Sequence, residues 1–441
     1  MSSDLKSLQP KNFFTNVPLP DYDQLVNCMH CGLCLPTCPT YEITGLEKYS
    51  PRGRIRMIKA IADREMEITA NYIHSLDFCL DCQACVTACP AGVEYGQLVE
   101  AAHHQIAAFQ KESGNVSVLK KALLNNLFKK QSRLKMMAGL LSIYQKTGLQ
   151  KIVQKTSVLK FFSTKLHELN ILSPKVPRYK PYQKVVESRY NTNKKIKVGV
   201  VTGCIQDIFF NDVNHDTIEV LAFNGYDVIT PQNQQCCGSV FGHNGELGLA
   251  KEAVRELIDL FWEEKVDFII INSAGCGSYM KHYDSILKDD PDYTEKAKWF
   301  TERVKDICEF LADKGFKRPL REKTMRVTYH EPCHLVHGQK ISKQPREILK
   351  ALPGVEFIEL EESDWCCGSA GIYNVTHFED SMILLERKFN KLFQTGAELV
   401  VSGNPGCMIQ LSYGSKRFKT GIKIKHPVSL LNDFYKEEQN V

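Results

Sequence analysis

Cys28-x2-Cys31-x2-Cys34-x3-Cys38-Pro39 is followed, after a 40-residue insert, by Cys79-x2-Cys82-x2-Cys85-x3-Cys89-Pro90. Eight thiolates arrive in two identical frames. Three cysteines spaced by two residues wrap one face of a cubane, because the short loop turns its sulfurs inward and its backbone N–H groups toward the metal. The fourth lies too far along the chain for that face. Zinc knuckles and disulfide frameworks are the competing readings, but zinc sites pair two C-x2-C units and do not chain three cysteines onto a Cys-Pro.

In two-cluster ferredoxins the fourth cysteine of each frame ligates the other cluster. The spacing therefore assigns Cys28, Cys31, Cys34 and Cys89 to one [4Fe-4S] centre, and Cys38, Cys79, Cys82 and Cys85 to the second. Between the frames, Pro51 suits a first helical turn, and Ile55, Ile58 and Ala62 share a helical face. The expectation is an α-helical ferredoxin domain over residues 1–110, closed by a helix from Tyr95 to Phe109. Pro10, Pro18 and Pro20 make its start an extended lead-in. Arg52, Arg54 and Arg56 lie in the insert and read as a solvated or partner-facing patch, or as cations that favour a reduced cluster.

The chain has 441 residues, enough for two to four domains, and its 43% hydrophobic and 24% charged residues are ordinary for a globular protein. Its 17 cysteines are not ordinary. The opening residues show no apolar signal segment, so the thiols are expected to be metal ligands in a reducing, cytoplasmic compartment. No run has the length of a spanning helix, which limits membrane contact to the periphery at the inner face of the cytoplasmic membrane. The net charge of +5 is modest and no nucleic-acid motif is present, so no nucleic-acid partner is expected.

Residues 111–195 read as a basic helical connector ending in a Pro-rich linker, Ser173 to Pro181. Leu119, Leu123, Leu127, Leu134, Leu141 and Tyr144 fall near helical spacing. Between Val118 and Leu169, Lys120, Lys121, Lys129, Lys130, Arg133, Lys135, Lys146, Lys151, Lys155, Lys160 and Lys165 are set against one acid, Glu168. Such a segment either docks on anionic lipid or an acidic partner, or packs its apolar stripe on the ferredoxin domain.

The second half is duplicated, with repeats over 196–320 and 321–441. Cys204, the pair Cys236–Cys237 and Cys276 match Cys333, the pair Cys366–Cys367 and Cys407, displaced by 129, 130 and 131 residues. Strands alternating with helices predict parallel sheets, and each cysteine group then follows a strand. Sites in such sheets gather outside the carboxyl ends of the strands, so each set of four thiols is expected to converge on one metal. Both a further Fe–S cluster and zinc suit four thiolates. Gly238 and Gly368 fit a crowded turn after each cysteine pair, and Cys308, matched by Leu431, reads as core. His330 and His334 bracket Cys333 and are read either as proton carriers beside a terminal centre or as shapers of the loop.

Two ferredoxin frames followed by two Cys-Cys-Gly (CCG) repeats resemble the iron–sulfur subunits of flavin-linked 2-hydroxyacid dehydrogenases, above all those of glycolate oxidase. The resemblance runs from about Asn27 to Asp433 and includes Pro51-Arg-Gly-Arg-Ile55, Ser273-Ala-Gly-Cys-Gly277, Pro332-Cys-His334 and Cys366-Cys-Gly-Ser-Ala-Gly-Ile-Tyr373. It implies a flavoprotein partner that holds the FAD and takes a hydride from the hydroxyacid, while this chain passes electrons singly toward quinone. Iron–sulfur subunits of lactate and anaerobic glycerol-3-phosphate dehydrogenases share the architecture. Heterodisulfide reductase is the catalytic alternative, but its CCG motifs carry a further cysteine where this chain has Tyr279 and Gln410.

Overall fold

A computed structural model describes residues 20–114, 123–189 and 196–439. Pro10, Pro18, Leu119, Lys120 and Lys121 lie outside the described residues, as do the side chains of Leu123 and Lys165. The chain divides into two compact units, one of residues 1–121 with 240–249 and the other of residues 122–239 with 250–441.

Helices make up the first unit. Pro51–Ala62 begins on Ser50, whose side chain accepts the Gly53 N–H, and Ala70–Asp77 begins on Thr69, which accepts the Tyr72 N–H. Each cap satisfies a backbone donor that the first helical turn leaves orphaned. The apolar faces of these two helices and of Tyr95–Glu112 meet around Ile55, Ile58, Tyr72, Leu76, Leu98 and Ala102, all buried. Full burial of one such aliphatic side chain contributes about 1.5–3 kcal/mol. Val240–Leu249 packs on the closing helix, where the His103 ring bonds the His243 carbonyl at 3.1 Å.

In the second unit, helices Gln131–Lys146, Leu149–Thr156, Leu159–Phe162 and Thr164–Leu172 precede two sheets. The first sheet holds β1 (Val185–Val186), β2 (Lys197–Val200), β3 (Asp227–Ile229), β4 (Phe268–Ile271) and β5 (Val304–Asp306) in the order β1-β3-β2-β4-β5. The second holds β6 (Met325–Tyr329), β7 (Val355–Ile358), β8 (Leu399–Val401) and β9 (Lys423–Lys425) in the order β7-β6-β8-β9. Apart from β1, the two orders are the same, as a duplication requires. All pairings are parallel except that of β1, where Val185 pairs antiparallel with Ile229. That edge strand falls where the sequence reads as linker; two residues carry too little pattern to be seen.

The copies share one core. Val198, Val228 and Ile270 of the first pack in the same apolar cluster as Val327, Val401 and Phe434 of the second, and Cys308 lies buried within it. His426 bonds the Asn272 carbonyl at 3.0 Å across the two copies, and the Asn404 side chain accepts the Gly275 N–H at 3.2 Å. The loops that carry Cys276 and Cys407 are thereby tied to each other. Among the described residues, no helix is long and apolar enough to cross a membrane.

Candidate metal centres

In the first unit the two cysteine frames adopt one backbone. His30 and Gly32 in the first frame, and Asp81 and Gln83 at the same places in the second, all have left-handed φ, at 53°, 88°, 46° and 61°. Only a turn of this hand curls the chain tightly enough to aim successive cysteines at one point. The Asp81 N–H then reaches the Cys79 sulfur at 3.4 Å.

Cys28, Cys31, Cys34 and Cys89 line one pocket, which Cys85 also reaches, with Ile55, Val93 and Tyr95 forming apolar wall. Cys31 is the exposed member of this set. Cys85 lies beside Cys82 and Cys79, and Cys38 is close enough to act on its charge. Burial pushes the Cys34 thiol up to about 11 and the Cys85 thiol well above its usual value. Thiols in such surroundings ionise only next to positive charge, which bound iron provides.

Arg54 provides more of it. The expected surface patch of arginines is split: Arg52 pairs with Glu47 at 2.6 Å, Arg56 with Glu65 at 3.3 Å, and Arg54 is fully buried. Its guanidinium donates to the Ser75 carbonyl at 2.7 Å and to the Thr40 hydroxyl at 3.1 Å. Burial opposes its charge, but Cys79, Tyr95 and Cys38 more than offset that cost, so it stays ionised. Tyr95 donates to the Cys79 sulfur at 3.4 Å and Thr40 contacts that of Cys38 at 3.3 Å. One cation thus serves the second frame and the fourth cysteine of the first. This buried positive charge among thiols fits anionic iron–sulfur clusters and would be costly without them.

In the second unit, each cysteine group follows a strand end. The Cys204 and Cys236 sulfurs are 3.8 Å apart, and the Cys237 thiol contacts those of Cys236 and Cys276. A tetrahedral ion with metal–sulfur bonds of about 2.3 Å sets its ligands about 3.8 Å apart. A cubane gives each thiolate its own iron and spreads them farther. Gly238 and Gly368 hold left-handed φ of 90° and 86°, and a Cβ on Gly368 would meet the Ser381 carbonyl at 2.6 Å. Crowding comes from the following helix as well as from the cysteine pair.

The second copy differs. The ligand atoms of His330, Cys367 and Cys407 lie within 4.8 Å of one another. Cys366 and Cys407 both touch the Cys367 thiol, and the Gly368 N–H donates to Cys366 at 3.4 Å. His330 is buried, and burial together with the Lys388 charge holds its basicity well below the ordinary imidazole value. Burial and the neighbouring ammonium therefore favour the neutral form of the ring. Lys388, also buried, donates to the carbonyls of Glu362 and Ser363 and lies beside Cys366 and Cys367. At the further-cysteine positions, Gln410 bonds Ser381 and Asn374 at 2.9 and 3.1 Å, and Tyr279 is buried. Both are core side chains.

Comparison with known proteins finds matches along most of the chain. A family model described as "4Fe-4S dicluster domain" matches residues 24–93, "Glycolate oxidase iron-sulfur subunit, linker region" matches 115–172, and "Cysteine-rich domain" matches 198–281 and 327–412. The "Probable glycolate oxidase iron-sulfur subunit" of Bacillus subtilis (strain 168) is 39% identical over 403 residues, 90% of each chain. The "Glycolate oxidase iron-sulfur subunit" of Escherichia coli (strain K12) is 29% identical over 93% of this chain and 94% of its own. The "Lactate utilization protein A" of Oceanobacillus iheyensis is 30% identical over 54% of this chain and 97% of its own.

Proposed function

The chain belongs to the glycolate oxidase iron–sulfur subunit family, and on that premise we propose that it carries electrons from a flavoprotein that oxidises glycolate toward a quinone. The observation that carries this reading is the pair of like-folded cysteine frames gathered around buried Arg54. Bound [4Fe-4S] clusters supply one-electron carriers, the form of transport a two-electron flavin donor needs to reach a separate acceptor. Cys28, Cys31, Cys34 and Cys89 hold one, and Cys38, Cys79, Cys82 and Cys85 the other. The nearness of Cys89 to Cys28 supports this crossing, as does that of Cys38 to Cys85.

Residues 1–110 form the electron-carrying domain in this reading, 111–195 the connector, and 196–320 and 321–441 two metal-holding repeats. Cys204, Cys236, Cys237 and Cys276 serve the first repeat; Cys333, Cys366, Cys367 and Cys407 are the thiols the second offers. Neither repeat carries substrate chemistry. Membrane contact, and with it access to quinone, falls to the connector. Met136, Leu140, Ile143, Ile152, Phe161 and Phe162 are exposed there, among the exposed Lys146, Lys151, Lys155 and Lys160. Apolar side chains amid lysines match the boundary between acyl chains and anionic headgroups.

The test is turnover by the chain alone and by the chain assembled with its flavoprotein. The expected result is glycolate-dependent reduction of a quinone analogue by the assembly, none by the isolated chain, and no gain when lactate or glycerol 3-phosphate replaces glycolate. Reduction of a heterodisulfide by the isolated chain would make it a catalytic subunit instead.

A further inference from the structure

The two CCG copies have different side chains at matched places around their thiols. Val201 of the first copy corresponds to His330 of the second, and both follow their strand with the backbone N–H bonded at 2.9 Å to the next strand, at Ile270 and Val401. Leu257, in the helix Leu247–Glu264, corresponds to Lys388 in Phe378–Thr395. An apolar pair in one copy is thus an imidazole and an ammonium in the other.

Both substituted groups are buried, and burial of polar groups costs several kcal/mol unless something compensates it. Neither ring nitrogen of His330 makes a close hydrogen bond; a looser approach to the Ser363 carbonyl, which raises the ring's basicity, can engage only one of the two. The ring nevertheless shares a space within 4.8 Å with the thiols of Cys367 and Cys407, and Cys367 touches Cys366. A metal ion answers the unengaged nitrogen, because neutral imidazole, like thiolate, is a common ligand of borderline-soft divalent ions. Close packing of the donors favours one ion over a cubane.

We propose that His330, with Cys366, Cys367 and Cys407, holds a single zinc-like divalent ion at the second CCG site, taking the place that the repeat gives to Cys333. This goes beyond the electron-carrying role and rests only on reading the CCG cysteines as metal ligands. Three thiols release three protons on binding, so a divalent ion leaves one net negative charge. The Lys388 ammonium beside Cys366 and Cys367 neutralises it. A set of four thiolates would leave two negative charges against the same lysine. The first site, with four thiols and no such lysine at the matched position, is the all-sulfur member of the pair.

The experiment measures metal per chain by plasma mass spectrometry on anaerobically purified full-length protein, with X-ray absorption on the zinc-loaded form. The wild type should hold zinc beyond its cluster iron and show a nitrogen ligand at about 2.0 Å among sulfurs at about 2.3 Å. His330→Ala should lose one equivalent of zinc with cluster iron unchanged, Cys333→Ser should lose none, and His330→Cys should keep the zinc but lose the nitrogen signal. Loss of zinc in Cys333→Ser, retention in His330→Ala, an all-sulfur wild type, or no zinc would overturn the proposal. Loss of cluster iron in the wild type would instead strike the electron-carrying reading.

Discussion

Arg54 lies in a helix whose neighbours Arg52 and Arg56 make surface ion pairs, yet it alone is enclosed, between Ser75 and Thr40. A unit charge at contact distance is worth about 4 kcal/mol at an effective dielectric near 20, on the order of 100 mV for one electron. Positive charge favours the reduced cluster. Arg54→Gln should therefore lower the midpoint potential of the Cys79-frame cluster by tens of millivolts or more in a redox titration, with Arg54→Lys intermediate. An unchanged potential in both would reduce Arg54 to a structural bond. Cys38→Ser should damage that same cluster while the one built on Cys28, Cys31 and Cys34 survives, as read by EPR; loss of the local cluster would sink the crossed ligation. The cysteines were legible in the sequence because their geometry is set by spacing within a few residues. Arg54 was not, since its enclosure depends on groups 14 and 21 residues away. Convergence of Cys367 and Cys407 was legible from the strand ends that carry them; that the His330 ring lies among their sulfurs was not, since it depends on packing across three strands.

At the scale of elements, the helices from Gln131 to Leu172 show what a basic pattern does not specify. Some lysines are engaged internally: Lys129 pairs with Glu252 at 2.7 Å and Lys135 with Asp207 at 3.0 Å. Leu134 turns inward, but Phe161 is 89% and Phe162 79% exposed, which a connector packed on its own protein would not leave in water. Lysines near an anionic surface contribute about 1 kcal/mol each. Replacing Lys130, Lys146, Lys151, Lys155 and Lys160 with glutamine should weaken binding of the assembled enzyme to phosphatidylglycerol vesicles more than tenfold at low salt. Phe161→Ser with Phe162→Ser should weaken it in high salt too, where charge is screened. Unchanged vesicle binding with a lost flavoprotein contact would make this face the subunit interface. Helical spacing made the segment visible; which side faces outward depends on packing partners far along the chain.

At the scale of the whole molecule, the duplication was readable because its cysteines recur at near-constant displacement, and the parallel sheets followed from strand–helix alternation. The tie between copies was not, because it rests on single side chains. His426 is the clearest: its Nε2–H donates to the Asn272 carbonyl, and its Nδ1 accepts the Val428 N–H at 3.2 Å. Burial lowers its pKa to about 4, the Asn272 carbonyl and Asp216 pulling weakly the other way. The neutral ring's stability is therefore fully present above about pH 6.5 and is lost as pH falls toward 4, by up to about 3 kcal/mol. His426→Gln should flatten the loss of urea stability over that window. An equally steep loss in the variant would place the acid sensitivity elsewhere.

All of these parts serve one claim, that electrons leave the flavoprotein through this chain. Rapid freeze-quench EPR of the assembled enzyme mixed with glycolate measures that passage directly. Reduced-cluster signals should rise after flavin reduction, at a rate no slower than turnover, and decay when quinone is added. Clusters that stay oxidised, or that reduce more slowly than quinone does, would contradict the account.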